Sequence, residues 1–256
     1  MTKIEWTQKT WNVVSGCTKC SPGCENCYAE VMARRLQANP KTREKYWRGF
    51  DVMEHWDSFT VEMPRRWKKP RMVFVCSMGD LFHPMVDNSF ITRVMGIVRQ
   101  TPHHTYQILT KRPHIMRNYF AHHSPPDNVW LGVTVCNQAE ADEKIPVLLG
   151  IPATVRFVSV EPMLEPVDLR LDWRNDTARW DSVGRELPLR RISWVICGGE
   201  TGANARPMNP DWARSLRDQC KVCDVPFFFK QMAKRQPIPD DLLIREFPKG
   251  GTEHEI

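Results

Sequence analysis

The chain of 256 residues is 41% hydrophobic and 26% charged with a formal net charge of +6 and a mean hydropathy of -0.47, which argues against both a disordered polymer and a membrane-embedded protein. It has no run of about 18 apolar residues, and the opening MTKIEWTQKTW has no apolar stretch of the kind a secretory signal needs. A cytoplasmic globular protein without a membrane partner is expected, built either as two small domains or, as we read it, as one barrel-like domain over 1–256.

In chain order, a first strand is predicted over 10–14, then a cysteine-rich loop and a helix over 27–37. The stretch 39–69 is basic and carries Trp47, Trp56 and Trp67. It is too long for a simple connection, so an insertion is expected there, as a lid or a substrate-binding element. Strands over 72–76, 105–109, 129–135, 155–160, 194–197 and 226–229 alternate with helices over 88–100, 114–121, 138–149 and 211–220. Most of the strands are continuous apolar runs, suited to burial on both faces of a parallel sheet. The last helix opens on Asn209-Pro210-Asp211, with proline in the first turn and a carboxylate facing the dipole. The expected fold class is therefore α/β, a single-domain, partly closed (βα) barrel of the TIM-barrel type with two insertions, 39–69 and 169–191. The second insertion is charged and lacks periodicity, and the polar tail after Pro237 is expected to fray at Gly250-Gly251.

Charge is unevenly spread, with eleven Lys and Arg against five Asp and Glu in 31–71. Its densest run, PRRWKKPR at 64–71, places five basic residues around Trp67. Such a run fits a phosphate backbone with an indole to stack on a base; a solvated basic loop fits it equally.

Polar residues follow nearly every predicted strand: Ser77-Met78-Gly79-Asp80, Thr110-Lys111-Arg112, Thr134 with Asn137, Ser159 with Glu161, Gly198-Gly199-Glu200, and Lys230-Gln231. In a parallel barrel those ends form one rim, where ligands bind. Singly, Thr134, Asn137 and Ser159 read as caps or loop residues. Lys111, Glu161 and Lys230 are the candidate catalytic residues. The cations Lys111, Arg112 and Lys230 are able to grip a carboxylate or phosphate, although cations with stems packed on the sheet are an equal reading.

Of nine cysteines, Cys17, Cys20, Cys24 and Cys27 crowd into GCTKCSPGCENCYAE, while Cys76, Cys136 and Cys197 sit singly in apolar runs and Cys220 and Cys223 read as reduced packing thiols. Clustered thiols without a secretory signal read as metal ligands rather than disulfides. From Cys20 the spacing is C-x3-C-x2-C. Three thiolates on a [4Fe–4S] cluster leave one iron open to a small molecule, whereas four close it for electron transfer. Two knuckles, CTKC and CENC, also suffice for structural zinc, though so short a gap between knuckles is unusual. The residues leave open whether Cys17 or Cys20 completes the triad.

The spacing and its strand-loop-helix setting resemble the radical S-adenosylmethionine enzymes. Over most of the chain, the ordered blocks IEWTQKTWNVVSGCTKCSPGCENCYAE, FVCSMGDLFHP, ILTKRP, LGVTVCNQ, RFVSVEPMLEPVDL, WVICGGETG, ARPMNPDWARSLRDQC and VPFFFKQ resemble a largely uncharacterised phage-associated three-cysteine-motif family grouped with radical SAM-like barrels. The resemblance implies a [4Fe–4S] cluster held by Cys17, Cys24 and Cys27 with Cys20 beside them. It also implies S-adenosyl-L-methionine chelated at the open iron, and an electron donor whose electron yields a 5′-deoxyadenosyl radical. Gly198-Gly199-Glu200 resembles the element that such enzymes place by the cofactor's amino group; glycines admit close backbone approach and a carboxylate offsets an ammonium. That element usually follows the second strand, which here ends in Ser77 to Asp80, so Asp80 and Glu200 both stand as candidates. Tyr28 is expected against adenine or the first helix. A nucleic acid or nucleotide is the expected substrate, in a modification or repair reaction related to that of spore photoproduct lyase. The rival expectations are a zinc-stabilised, non-catalytic nucleic-acid-binding phage protein and an accessory protein that docks a partner through the Trp-rich insertion.

Overall fold

Seven short apolar runs pair into one all-parallel sheet. They are β1 (Lys9–Trp11), β4 (Met72–Val75), β5 (Thr105–Thr110), β6 (Val129–Val135), β7 (Val155–Val160), β10 (Trp194–Gly198) and β11 (Phe227–Gln231), ordered β1-β4-β5-β6-β7-β10-β11. The structure is a computed structural model and describes residues 4–171, 179–180, 186–187 and 191–248. Spatial order follows chain order, so each crossover returns beside its predecessor and the sheet curls without its two edge strands pairing. The result is the single-domain, partly closed (βα) barrel that the sequence predicts.

The strand period of two sorts side chains cleanly between the two faces. Outward positions such as Val73, Val75, Tyr106, Ile108, Val133, Val158 and Val195 enter the large outer core, under α3 (Asn88–Gln100), α4 (Pro113–Phe120), α5 (Gln138–Leu149) and α6 (Pro210–Val222). Inward positions form a second core of Met72, Phe74, Trp130, Val155, Phe157, Trp194, Ile196 and Phe228. Trp6 plugs this interior, with its ring 4.6 Å from Phe74 and 6.2 Å from Trp194. The bulky rings occupy the half of the interior nearer the strand N-termini. Further along the same inward rows come Thr134, Ser159, Gly198 and Lys230, small or polar residues that leave a mouth at the C-terminal ends.

The predicted first strand divides in two. Trp11 O accepts Cys76 N–H at 3.0 Å and closes the pairing with β4. Asn12 then leaves the ladder, its Oδ1 accepting from Ser77 Oγ at 3.0 Å and Met78 N at 3.3 Å. β2 (Val14–Ser15) turns away to pair antiparallel with β3 (Met53–Glu54). The stretch 39–69 also carries α2 (Ser58–Val61), where Asp57 caps by accepting from Thr60 N at 2.8 Å. Its two halves lie at opposite ends of the barrel. Tyr46 and Phe50 pack on Ala29 and Ala33 of α1 (Tyr28–Ala38), beside the mouth. The run 64–71 precedes β4 and so lies at the strand N-termini. There Trp67 is half-buried on the core, 5.8 Å from His104, with Lys9 over its ring at 5.9 Å. The indole expected to be available for base stacking is thus packed, and away from the mouth.

Of the expected insertion 169–191, only β8 (Arg179–Trp180) and β9 (Glu186–Leu187), an antiparallel pair, are described within 172–190; the rest of that stretch, like Gly250-Gly251, lies outside the described residues. Among the described residues no helix is long and apolar enough to cross a membrane.

Candidate functional site

The cysteine loop is laid across the C-terminal ends of the sheet. At its entry Gly16 has φ +81°, and a Cβ there would sit 2.0 Å from Asp51 O, so only glycine passes. Gly16 N donates to Met78 O at 2.9 Å, and Cys17 N donates to Phe50 O at 3.1 Å. Ser21 caps the turn Pro22–Cys24 by accepting from Gly23 N at 3.1 Å, and its Oγ lies 3.7 Å from Cys136 Sγ, just past β6. Gly23 packs against Pro162, just past β7. Asn26 Nδ2 donates to Glu200 Oε2 at 2.9 Å, past β10, and to Asn204 O at 3.0 Å. Finally Tyr28 OH donates to Ser77 O at 2.6 Å, past β4. One loop of about a dozen residues thereby touches four strand ends.

Two arginines pin this loop. Arg112 Nη1 lies 3.1 Å from Asp80 Oδ2 and 3.4 Å from Cys17 Sγ, while Nη2 donates to Thr18 O at 2.7 Å and to Thr18 Oγ1 at 3.1 Å. Asp80, buried, also accepts from Thr110 Oγ1 at 2.8 and 2.9 Å and from Phe82 N at 3.0 Å. His83 Nδ1 accepts from Met85 N at 3.1 Å, leaving Nε2 to face Thr18 Oγ1 at 2.8 Å. Burial and then the Arg112 cation lower its pKa, which keeps the ring neutral. On the other side Arg206 reaches Glu200 at 2.6 Å, Glu25 at 2.9 Å and Pro22 O at 2.9 Å. The two carboxylates expected to meet an ammonium, Asp80 and Glu200, are therefore each paired with an arginine that braces the loop.

The four thiols differ in setting. Cys20 is exposed, and Cys17, Cys24 and Cys27 are half-buried. The adjacent Cys20 thiol, and after it the Lys111 cation, draw the Cys24 thiol down toward the thiolate, and the proximity of Cys24 pushes Cys20 up. Burial pushes the Cys17 thiol up, and the Arg112 cation opposes it. Among the described residues no group of three or more His, Cys, Asp or Glu is drawn together as a single ion requires.

Deeper in the mouth, Lys230 Nζ meets Glu161 Oε1 at 2.5 Å, and Gln231 Nε2 bridges Glu161 Oε1 at 3.4 Å and Gly199 O at 3.0 Å. A Cβ at Gly198 would stand in ordinary contact with this pair, whose nearest atoms lie 3.4 Å away. Tyr28 is half exposed, with its hydroxyl held by Ser77 O. Burial and then the Glu161 carboxylate raise the phenol's pKa, as expected for a ring lining a concavity.

The predicted residues thus fall into separate groups. Lys111 lies by Cys24, Asp80 on the Arg112 side with Ser77 near Tyr28, and Glu161 with Lys230 and Gly198 in the throat. Glu200 faces the loop's far end, while Gly199 packs against Ala233. Cys220 lies on α6 and Cys223 at its C-cap, outside the mouth. Thr18, Asn26, His83 and Arg206 carry as much of the loop's bonding as any predicted residue. The one local signal for them was the position of Thr18 and Asn26 inside the knuckles.

A family model described as a protein of unknown function, DUF5131, matches residues 1–243. No curated protein matches. Among solved structures, a spore photoproduct lyase mutant with bound AdoMet and dinucleoside spore photoproduct matches with a TM-score of 0.43 and 9% identity, over 82% of this chain and 60% of that one.

Proposed function

The chain belongs to the DUF5131 family, and within it we propose a radical S-adenosylmethionine-type enzyme acting on a nucleotide or nucleic acid. A single observation carries the reading: one loop holding four thiols spans the C-terminal ends of β4, β6, β7 and β10, where parallel barrels keep their chemistry. The donor set fits an iron–sulfur cluster. Four thiols lie on one short loop with the Lys111 and Arg112 cations nearby, and Cys24 is biased toward thiolate. Cys17, Cys24 and Cys27 would hold the group, with exposed Cys20 beside them. The chemistry that such a cluster supplies when bound is one-electron reduction of a sulfonium, whose C–S bond parts into methionine and a 5′-deoxyadenosyl radical.

The chain's own residues bind, orient and exclude water. Arg112 fixes the Cys17–Thr18 peptide and directs a hydrogen bond at the Cys17 sulfur, the kind of outer contact that sets a ligand's basicity. Tyr28 walls the mouth. The Lys230–Glu161 pair, at the throat, offers one cation and one carboxylate to a polar substrate.

The test is cofactor cleavage by anaerobically purified, dithionite-reduced protein. Release of 5′-deoxyadenosine, lost in Cys24→Ala, is the expected result. A colourless protein holding one zinc and leaving the cofactor intact would overturn the reading in favour of a structural knuckle.

A further inference from the structure

We propose that the outer face of α1 and the segment 39–50 that folds back on it form a docking surface for single-stranded nucleic acid, leading directly to the mouth. The proposal deepens the substrate half of the reading above and rests on it for the fate of the bound strand. Its binding claim stands on separate observations.

The face is built by packing. Ala29, Ala33 and Leu36 turn one side of α1 onto Tyr46 and Phe50. The rest of the helix is left to solvent, where Arg35 is exposed and Arg34 pairs with Glu30. Thr42 Oγ1 donates to Leu36 O at 2.6 Å and Gln37 Nε2 to Trp47 O at 3.0 Å, so the returning segment is tied along the helix. Residues 28–51 hold six Lys and Arg against three acids, Glu30, Glu44 and Asp51, with Arg34 paired to Glu30 at 2.8 Å and Arg48 lying 3.9 Å from Asp51. Arg34, Arg35, Lys41, Arg43 and Arg48 are exposed, whereas Lys45 turns inward to donate to Asn12 O at 3.2 Å. Among these cations Trp47 stands 64% exposed with the Arg48 guanidinium 5.7 Å from its ring centre. A ring flanked by exposed cations is the arrangement that takes a base on its face and phosphates on either side.

Two relationships favour a polymer that threads toward the chemistry. Trp47 is three residues from Phe50, whose carbonyl accepts the Cys17 N–H, so the face is continuous with the cysteine loop. The other basic run, 64–71, lies at the far end of the barrel. There Trp67 is packed, Arg65 is paired with Glu62 at 3.4 Å, and Arg66 covers Phe59 at 4.3 Å. A flat anionic surface would meet either run equally; a strand that reaches the mouth meets only the first.

The experiment is fluorescence anisotropy of a fluorescein-labelled oligothymidylate with the full chain, across a salt series. Arg43→Ala with Arg48→Ala should weaken binding and lower the salt slope by about 0.7 per lost phosphate contact. Trp47→Ala should weaken it by about tenfold, with Trp47→Phe largely restoring it. Lys68→Ala with Lys69→Ala should change neither. All these side chains are exposed, and equal melting temperatures confirm intact folding. Absence of salt-sensitive binding by the native chain would overturn the proposal. So would equal losses from both double variants, or binding to phosphatidylserine vesicles but not to the oligonucleotide. The native chain, assayed for both activities, separates the two claims, and Cys24→Ala is expected to lose cleavage while keeping binding. Oligonucleotide binding by a native chain that fails to cleave the cofactor defeats the enzymatic reading alone, and cleavage by the native chain without oligonucleotide binding defeats this one alone.

Discussion

The guanidinium of Arg112 sits 3.1 Å from the carboxylate of Asp80, and their side chains are 9% and 7% exposed. A buried pair of this kind is costly to break from one side, because the survivor is left charged and unpaired. Asp80→Ala and Arg112→Ala should each lower unfolding stability by about 3–5 kcal/mol. The double variant should cost less than the sum, by a coupling on the order of 1–3 kcal/mol. Urea unfolding of the metal-free chain measures all three, and strict additivity would show that the pair does not act as a unit.

Acid sensitivity is expected from His55, which is buried with Nε2 2.9 Å from Ser15 Oγ. Burial first, and then the Lys45 cation, lower its pKa from 6.5 to about 4. Between those values the unfolded chain binds a proton that the folded chain refuses. The contribution is therefore complete above pH 6.5 and lost as the pH falls toward 4. Replacing His55 by Gln should flatten the stability–pH curve in that window by up to one proton; an unchanged slope would mean that His55 titrates alike in both states.

The two glycines before Glu200 answer to different neighbours. A Cβ on Gly199 would fall 2.2 Å from Ala233 N, while one on Gly198 would meet nothing nearer than 3.4 Å. Gly199→Ala should destabilise by at least about 1–3 kcal/mol through overpacking, and Gly198→Ala should fold with a nearly native melting temperature. Comparable losses in thermal melts would contradict this division, in which packing requires the second glycine alone.

Much of this architecture was legible because local pattern decides it. The apolar run of β6, at Val129–Val135, and the amphipathic periods of α3, at Asn88–Gln100, and α5, at Gln138–Leu149, carry their own boundaries. The gathering of strand-end residues into one rim follows from parallel pairing alone. Which acid meets which partner does not, since Asp80 with Arg112 and Asn26 with Glu200 are contacts across distant sequence that no local pattern encodes. The basic run 64–71 shows a subtler loss. It immediately precedes β4, so strand direction places it opposite the mouth, and composition read without direction suggests the reverse. The break after Trp11 was hidden because Val13 and Val14 continue the apolar pattern while the chain leaves the sheet.

Metal content is the most direct test of the central claim that the loop on the strand ends is a cluster site. Chain purified under strict anaerobiosis, or reconstituted with iron and sulfide, should be brown with about four irons and four sulfides per molecule. That content should collapse in Cys17→Ala, Cys24→Ala and Cys27→Ala, and persist in Cys20→Ala. One tightly held zinc per chain, with no visible absorbance and equal dependence on all four cysteines, would contradict it.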